Sequence, residues 1–244
     1  MARDTIYKQQ IAAIKAFEFD EAVTAVFSDM IERSVPGYRV TLDGIHRMAA
    51  TFVPAGGRCY DLGCSLGAGI LAASMGLGET PAEIIGVDNS AAMIETCKTN
   101  TQFDDRRQHI HFQHADIADI SLQPADFVIM NYTLQFLPPE GRLELLSNIH
   151  DALRPGGALL LSEKFVFDDP VIRELLIDQH HEFKREHDYS DMEIAGKRNA
   201  LENVLIPDSR ETHERRLRAA GFAHVALWQA ELNFGSFIAI RADD

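Results

Sequence analysis

Four polar side chains of this sequence each follow a run of apolar residues, at points where buried strands would end. Asp61 stands before the glycine-bearing stretch Gly63–Gly69, Asp88 follows the next apolar run, and Asp116 and Asn131 follow the third and fourth. A carboxylate in such a position accepts hydrogen bonds from the two hydroxyls of a ribose or from an adenine amine. Each residue alone is equally well explained as a helix cap or a turn residue, but four in succession indicate one site for a nucleoside.

The glycine-bearing stretch narrows the class of ligand. Glycine at a strand-to-helix turn lets a ligand approach the backbone closely. The stretch lacks the Gly-x-Gly-x-x-Gly pattern of dinucleotide sites, because Ser65 stands two residues after Gly63, and it also lacks the Gly-Lys-Ser/Thr of triphosphate-binding loops. The carboxylate of Asp61 beside this turn suits a cationic or amine-bearing ligand better than a pyrophosphate.

Strands and helices alternate along the chain. The spacing of apolar residues predicts strands at 58–62, 83–88, 110–113, 125–131, 158–162, 225–228 and 233–240, and helices that begin near Asp20, Asp43, Ile70, Ala91, Pro138 and Arg215. Arg154–Gly157 is expected to end the helix before the fifth strand, and residues 168–205 are expected to form a charged helical insertion. Strands joined by helices predict a doubly wound α/β domain over residues 1–244. Its mostly parallel seven-stranded sheet would have a C-terminal antiparallel strand and a helical cap over 1–52.

The composition excludes several classes of partner. With 23 Lys and Arg against 37 Asp and Glu, the net charge is −14 at pH 7, so direct contact with a nucleic acid is not expected. We also expect no membrane contact and a cytoplasmic location, since no apolar run approaches the roughly 20 residues that span a bilayer and no secretory signal is visible. Three cysteines without a Cys-x-x-Cys pair suit a reducing compartment. Neither they nor His180, His181 and His187 indicate a metal site.

Together these features resemble the class I S-adenosylmethionine-dependent methyltransferases. The resemblance rests on Asp61-x-Gly63-x-x-x-Gly67 after the first strand, on Asp88 and Asp116 after the second and third, and on Leu-Arg-Pro-Gly-Gly before the fifth. It covers about residues 50 to 240. Ser65 departs from the commonest pattern of that class, which has glycine there.

A narrower resemblance, to the carboxy-S-adenosyl-L-methionine synthase family, runs nearly from end to end. The matching stretches are 17–20, 26–38, 60–65, 131–139, 161–165, 197–204 and 233–237. The resemblance implies that S-adenosyl-L-methionine is carboxylated on its sulfonium methyl at the expense of prephenate, which loses carbon dioxide and water to become phenylpyruvate. It also implies that the product, carboxy-S-adenosyl-L-methionine, serves a separate enzyme that makes 5-oxyacetyl uridine at the wobble position of transfer RNA.

The family resemblance implies ligand contacts for ten residues. They are Tyr38 from the cap, Gly63, Cys64 and Ser65 in the loop, Asp88 and Asn89 at the ribose, Asp116 and Ile117 at the adenine, Asn131 at the sulfonium, and Arg198 at the new carboxylate. A guanidinium suits that last role because it binds a carboxylate through two parallel hydrogen bonds. No catalytic residue and no metal are assigned, since the reaction asks the protein mainly to position its substrates and exclude water.

The family and the charged insertion suggest a homodimer. Two other functions fit the same pocket. One is a small-molecule or RNA methyltransferase, although an RNA substrate favours a basic face and the net charge is −14. The other is a catalytically silent S-adenosylmethionine-binding protein, against which the intact strand-end residues argue.

Overall fold

The seven strands of the described residues form one sheet in this computed structural model, which describes residues 3–6, 20–102 and 108–243. They are β1 Gly57–Leu62, β2 Ala82–Asp88, β3 Gln108–His114, β4 Ala125–Asn131, β5 Leu153–Lys164, β6 His224–Glu231 and β7 Phe234–Ile240. Their order in the sheet is β3-β2-β1-β4-β5-β7-β6. The first five strands run parallel, and β7 lies antiparallel to both β5 and β6. The predicted doubly wound sheet with an antiparallel C-terminal strand is therefore confirmed.

Helices connect these strands and cover both faces of the sheet. The α-helices of the described ranges are α1 Glu21–Ser34, α2 Tyr38–Phe52, α3 Ala68–Leu77, α4 Ala91–Thr101, α5 Arg142–Ala152, α6 Pro170–Glu186, α7 Asp191–Leu201 and α8 Arg210–Ala219. In the central strand β4, Val128 and Met130 pack in one apolar cluster while Phe127 and Ile129 pack in another. This alternation shows that β4 is buried on both faces, as its continuous apolar run predicted.

Helices α1 and α2 form the N-terminal cap that the sequence predicted. The Asp20 side chain accepts a hydrogen bond from the Val23 amide (2.9 Å) and thereby caps α1. Helix α2 begins at Tyr38 rather than at Asp43, because Gly37 adopts a left-handed conformation (φ +71°) and leads the chain directly from one helix into the next. Residues 7–19 of the predicted cap, which include the start of the 17–20 stretch, lie outside the described residues.

Strand β5 differs from its prediction. It begins at Leu153 and not at 158, so the stretch Arg154–Gly157 is part of the strand instead of a separate helix-ending turn. Ala125 of β4 pairs with Leu153, whereas Phe127 pairs with Ala158. The extra residues of β5 therefore form a bulge in the pairing with β4. Because the bulge interrupts the regular spacing of apolar residues, the sequence does not indicate where the strand begins. The helix predicted at Pro138 also begins later, at Arg142, after a short 3₁₀ turn at Pro139–Gly141.

The buried Arg142 fastens two chain segments together. Its guanidinium donates hydrogen bonds to the carbonyl oxygens of Leu137 (2.8 Å), Ile206 (2.9 Å) and Gln135 (3.2 Å), and it pairs with the carboxylate of Asp208 (2.6 Å). The loop after β4 and the segment before α8 are thus held by one side chain with no exposed surface. Satisfying several buried carbonyl groups from one planar donor is a role that only arginine fills among the side chains.

Replacing Arg142 by Met should lower the free energy of unfolding by about 3–5 kcal/mol, because buried carbonyl groups lose their donors and Asp208 loses one of its two cations. Urea denaturation followed by circular dichroism measures this. The matched control is Arg210→Met, which removes an exposed pair with Glu214 and should cost under about 1 kcal/mol. Equal losses in the two variants would show that Arg142 does not have this fastening role.

Candidate active site

A cavity of about 840 Å³ lies at the carboxyl ends of the central parallel strands. Side chains from α1, α6 and α7 complete its wall. Nine of the ten residues to which the sequence assigned ligand contacts line it, namely Tyr38, Gly63, Cys64, Ser65, Asp88, Asn89, Asp116, Ile117 and Asn131. In open α/β sheets this edge is the usual place for ligands.

The loop after β1 forms one wall and is held against β2. Gly63 has φ +81°, and a Cβ at this residue would overlap the Thr133 side chain. The amides of Gly63 and Cys64 both donate to the Val87 carbonyl oxygen, at 2.8 and 2.9 Å. Ser65 also lies in the left-handed region (φ +49°), where glycine is favoured. The departure at Ser65 therefore leaves the turn in the shape that glycine would give it.

Asp88 joins this loop to the end of β2. Its two carboxylate oxygens accept hydrogen bonds from the backbone amides of Ser65 and Ser90, both at 2.9 Å. Burial raises the pKa of Asp88, and these two hydrogen bonds oppose the rise. Since each carboxylate oxygen has a second lone pair, the oriented side chain can still accept hydrogen bonds from two hydroxyl groups of a ligand.

Asp61 is the deepest acid of the wall. Its side chain is buried, and burial together with the nearby charge of Asp88 raises its pKa to about 7. Gly69 packs against it, because a Cβ there would lie 2.5 Å from the Asp61 Oδ2 atom. A cation placed between the two acids would relieve both the burial and the repulsion. The sequence-based expectation that Asp61 suits a cationic ligand thus has a physical basis in the structure.

Polar atoms without partners and aromatic rings occupy the middle of the cavity. Asn131 has its Oδ1 atom buried with no hydrogen-bond partner in the described part of the chain. Tyr132, which follows it with φ +61°, contacts the rings of Tyr38 and Phe234 at centroid distances of 6.4 and 6.0 Å. A buried carbonyl oxygen without a hydrogen-bond donor lowers the stability of the folded state unless a ligand supplies the donor. The arrangement therefore offers one acceptor beside an apolar, ring-lined surface.

The two residues predicted to contact the adenine lie at the rim of the cavity. Asp116 is exposed, and its Oδ1 atom accepts a hydrogen bond from the Ala118 amide at 2.9 Å, whereas Ile117 is buried. The other carboxylate oxygen of Asp116 makes no hydrogen bond among the described residues. An acid beside an apolar side chain suits a flat ring that carries an exocyclic amine.

The surroundings of the cysteines and the positions of the potential metal ligands bear on the chemistry of the site. Cys59, Cys64 and Cys97 are free and buried. The pKa of the Cys64 thiol is raised by its hydrogen bond with Cys97 and then by burial, so the reactive thiolate form is disfavoured. Over the described residues, no three His, Cys, Asp or Glu side chains are grouped so as to hold a metal ion. The helices described here include none of the length and apolarity required to cross a membrane.

Comparison with known proteins decides the family. Residues 60–157 match the family described as "Methyltransferase domain". The chain is 48% identical, over 99% of its length and 100% of the relative, to carboxy-S-adenosyl-L-methionine synthase of Actinobacillus pleuropneumoniae serotype 5b. It is 47% identical, over 99% of its length and 98% of the relative, to the protein of that name from Shigella boydii serotype 4. The chain belongs to the carboxy-S-adenosyl-L-methionine synthase family. The resemblance predicted from the sequence is confirmed, and so is the prediction that the protein is an enzyme.

Solved structures show the same fold at low sequence identity. An O-methyltransferase family protein from Burkholderia thailandensis matches with a TM-score of 0.65 and 17% identity, over 92% of this chain and 61% of that one. Human N-acetylserotonin methyltransferase matches with a TM-score of 0.62 and 17% identity, over 91% of this chain and 55% of that one. The fold class predicted from the sequence, that of class I methyltransferases, is confirmed.

Arg198 is the one predicted contact that does not line the cavity. It is exposed on α7, next to the buried Lys197, and its charge is one of several that add to burial in lowering the pKa of His181 on α6. The described part of a single chain therefore places Arg198 outside the wall formed by the other nine residues. Its role stays a prediction.

Four basic side chains of the wall were missed by the sequence analysis. They are Lys164, His180, Lys184 and Lys197. Lys197 is the best compensated, with Asp4 Oδ2 and the Tyr189 hydroxyl both at 2.7 Å. Lysines at a strand end or on a charged helix are normally solvated, so no sequence signal separated these from the other lysines of the chain.

The Asp61→Asn variant should be more stable than the wild type at pH 8 but not at pH 4. A carboxyl group whose pKa is raised to about 7 by folding lowers stability progressively between pH 4 and 7, and asparagine lacks this effect. A difference of one unit in pKa corresponds to about 1.4 kcal/mol. Above pH 7, the free energies of unfolding of Asp61→Asn and the wild type should therefore differ by a few kcal/mol. Thermal unfolding of the ligand-free protein between pH 4 and 8 measures it. Asp119→Asn, at an exposed acid of the rim, is the control, and parallel curves for wild type and Asp61→Asn would contradict the assignment.

Proposed function

We propose that this protein makes carboxy-S-adenosyl-L-methionine from S-adenosyl-L-methionine and prephenate, releasing phenylpyruvate and water. The observation that carries the proposal is one cavity with acids at the ends of β1 and β2 and lysines on β5 and α6. Asp61 and Lys184 are buried, and Asp88 and Lys164 are partly buried. A sulfonium nucleoside suits the acids, and a dicarboxylate suits the lysines. The relatives that match this chain over nearly their whole length are named carboxy-S-adenosyl-L-methionine synthases. Their names support carboxy-S-adenosyl-L-methionine as the proposed product.

The residues at the acidic end fit S-adenosyl-L-methionine in each of its parts. Asp88, oriented by two backbone amides, would accept the ribose hydroxyls, while Asp116 and Ile117 would bind the amine and face of the adenine. Asp61 would counter the positive charge of the ligand. The unpaired Oδ1 atom of Asn131 would lie at the sulfonium end. Such binding would give Asn131 Oδ1, which is otherwise buried without a hydrogen-bond partner among the described residues, and the buried Asp61 carboxylate a partner in the ligand.

The proposed reaction requires the protein mainly to hold the two substrates in position and to exclude water. Loss of carbon dioxide from the prephenate ring expels hydroxide, which supplies the base for the sulfonium methyl. The carbon dioxide then bonds to that carbon in place of the lost proton. An enclosed cavity keeps the carbon dioxide beside its acceptor. Burial and the charges of Lys184 and Lys164 lower the pKa of His180, a basic side chain of the cavity wall, so we do not assign it as a general acid.

The proposed product is a small molecule that would be the substrate of a second enzyme. We propose that this second enzyme uses it to make 5-oxyacetyl uridine at the wobble position of transfer RNA. A chain with a net charge of −14 then needs no direct contact with the nucleic acid. Three free, buried cysteines agree with the reducing cytoplasm, which we propose as its location.

We further propose a homodimer in which α6 lies at the interface. Val171, Ile172 and Leu175 are exposed apolar residues along this helix. Contiguous exposed apolar residues are typical of surfaces that bind another protein. In such a dimer, the exposed Arg198 of one copy would lie close to the cavity of the other copy. The Arg198 contact with the new carboxylate remains part of the proposal in either arrangement.

The proposed reaction predicts two products that appear together. Incubation with S-adenosyl-L-methionine and prephenate should yield phenylpyruvate and a ligand in which one carboxyl group replaces a hydrogen of the sulfonium methyl, in equal amounts. Mass spectrometry of the ligand and absorbance of phenylpyruvate measure this. Absence of both products would contradict the proposal, and a methylated RNA or small-molecule acceptor with S-adenosylhomocysteine would instead establish the methyltransferase alternative.

Arg198→Leu should weaken binding of the carboxylated ligand roughly ten- to a hundred-fold while leaving that of S-adenosyl-L-methionine within about twofold, because only the former has a carboxylate for the guanidinium. Isothermal titration of both ligands measures the difference. Arg218→Leu, at an exposed arginine of α8, is the matched control. Equal losses for the two ligands would remove Arg198 from its proposed role.

A further inference from the structure

Two ammonium groups on the cavity wall have no counter-ion in the part of the chain that the structure describes. Lys164 is the last residue of β5, and Lys184 lies in the last turn of α6. Within residues 3–6, 20–102 and 108–243, neither Nζ atom makes a hydrogen bond or an ion pair, and the aromatic contact of Lys164 Nζ is with Phe234, 5.8 Å from the ring centroid. Lys184 is buried, with 8% of its surface exposed. Buried ammonium groups are normally paired, so this arrangement calls for an anion from outside the protein.

The electrostatics of the two lysines agree with the geometry. Burial, and then the positive charges of Lys164 and Lys197, lower the pKa of Lys184 to about 7. Burial also lowers the pKa of Lys164. Among the described residues, no ion pair joins either lysine to Asp61 or Asp88, and neither acid is among the causes of the two pKa shifts. Lys197 differs from the pair, because Asp4 and Tyr189 already bind it.

The surroundings of the two lysines define the shape of the anion. His180 lies one helical turn before Lys184, and burial together with the charges of Lys184 and Lys164 lowers its pKa. Its Nε2 atom donates a hydrogen bond to the Ser34 carbonyl oxygen (2.8 Å), which leaves Nδ1 as an acceptor in the uncharged ring. Its ring packs edge-on against Phe234, which in turn packs against Tyr132. The two charges therefore lie beside a flat apolar surface. A carboxylate attached by a short arm to a six-membered ring fits this combination of charge and shape.

We infer that Lys164 and Lys184 bind the 2-oxo-carboxylate side chain of prephenate, the carboxylate that remains on phenylpyruvate. This inference rests on the proposed function. The choice between the two carboxylates follows from transition-state binding: the ring carboxylate loses its charge as carbon dioxide departs, so a buried cation on it would stabilise the ground state more than the transition state. The side-chain carboxylate stays ionised throughout, and holding it fixes the ring without slowing the decarboxylation.

The test uses the full-length variants Lys164→Met and Lys184→Met, with Lys98→Met as the matched control. Lys98 is exposed on α4 and pairs with Glu95 (2.6 Å), away from the cavity wall. Each cavity variant should raise the KM for prephenate roughly ten- to a hundred-fold, the loss of one charge-assisted hydrogen bond. Its kcat should change less than about threefold, and its Kd for S-adenosyl-L-methionine less than about twofold. Competitive inhibition by phenylpyruvate should weaken in parallel with prephenate binding.

Thermal unfolding separates binding from folding. Because methionine removes an ammonium group that burial disfavours and that has no ion-pair partner among the described residues, the ligand-free variants should be at least as stable as the wild type. A lower Tm for both variants would contradict the inference, since it would mean that the ammonium groups have stabilising partners within the protein. Lys184→Arg, which keeps the charge, should recover part of the lost prephenate affinity.

Three outcomes would overturn the inference while the wild type remains active with prephenate. They are an unchanged KM for prephenate, an equal loss of S-adenosyl-L-methionine binding, and a selective loss of binding of the carboxylated ligand. The last outcome would show that the lysines bind the new carboxylate of the product instead. A wild type that makes neither phenylpyruvate nor the carboxylated ligand would instead refute the proposed function itself. The two failures are therefore distinguishable in one set of assays.

Discussion

Burial of opposite charges at two sides of one cavity is the constraint on which the site depends. Asp61 and Asp88 repel each other at the ends of β1 and β2, and Lys164 and Lys184 repel each other at β5 and α6. Each pair is unfavourable alone, because low-dielectric surroundings strengthen repulsion and remove solvation. The two pairs do not neutralise each other within the protein. Under the proposed function, a cationic ligand at one side and an anionic ligand at the other would relieve both, and the charges that bind the two ligands would already be in place in the folded chain.

The order of the strands keeps the two pairs apart. Strand β4 lies between β1 and β5, and β2 lies on the far side of β1. Because neighbouring strands are about 4.8 Å apart, β5 is separated from β1 by roughly 10 Å and from β2 by roughly 14 Å. Asn131 and Tyr132, at the end of β4, fill this interval. The loop that follows them is fixed through Arg142 to the segment before α8. The reacting carbon of a sulfonium ligand and the ring of a dicarboxylate would meet over this central strand, away from bulk water.

The sequence predicted the fold and the acidic half of the site for a common reason. Parallel strands place their carboxyl ends at one edge, so residues that follow successive apolar runs, such as Asp88 and Asn131, must converge there whatever the surrounding detail. The basic half depends on how α6 packs over the sheet, and nothing in local spacing says that Lys184 turns inward while most residues of its helix stay exposed. Lys164 directly follows the buried Glu163, yet its approach to the cavity is a tertiary effect. The early start of β5 was missed because a bulge interrupts its pairing.

A crystal structure of the protein with S-adenosyl-L-methionine and phenylpyruvate tests the account most directly. The account predicts the sulfonium beside Asn131 and Asp61, and the phenylpyruvate carboxylate within hydrogen-bond distance of both Lys164 and Lys184. The ring should lie against Phe234. Phenylpyruvate bound with its carboxylate away from both lysines, or S-adenosyl-L-methionine bound with its sulfonium at the lysines, would contradict the division of the cavity into an acidic and a basic side.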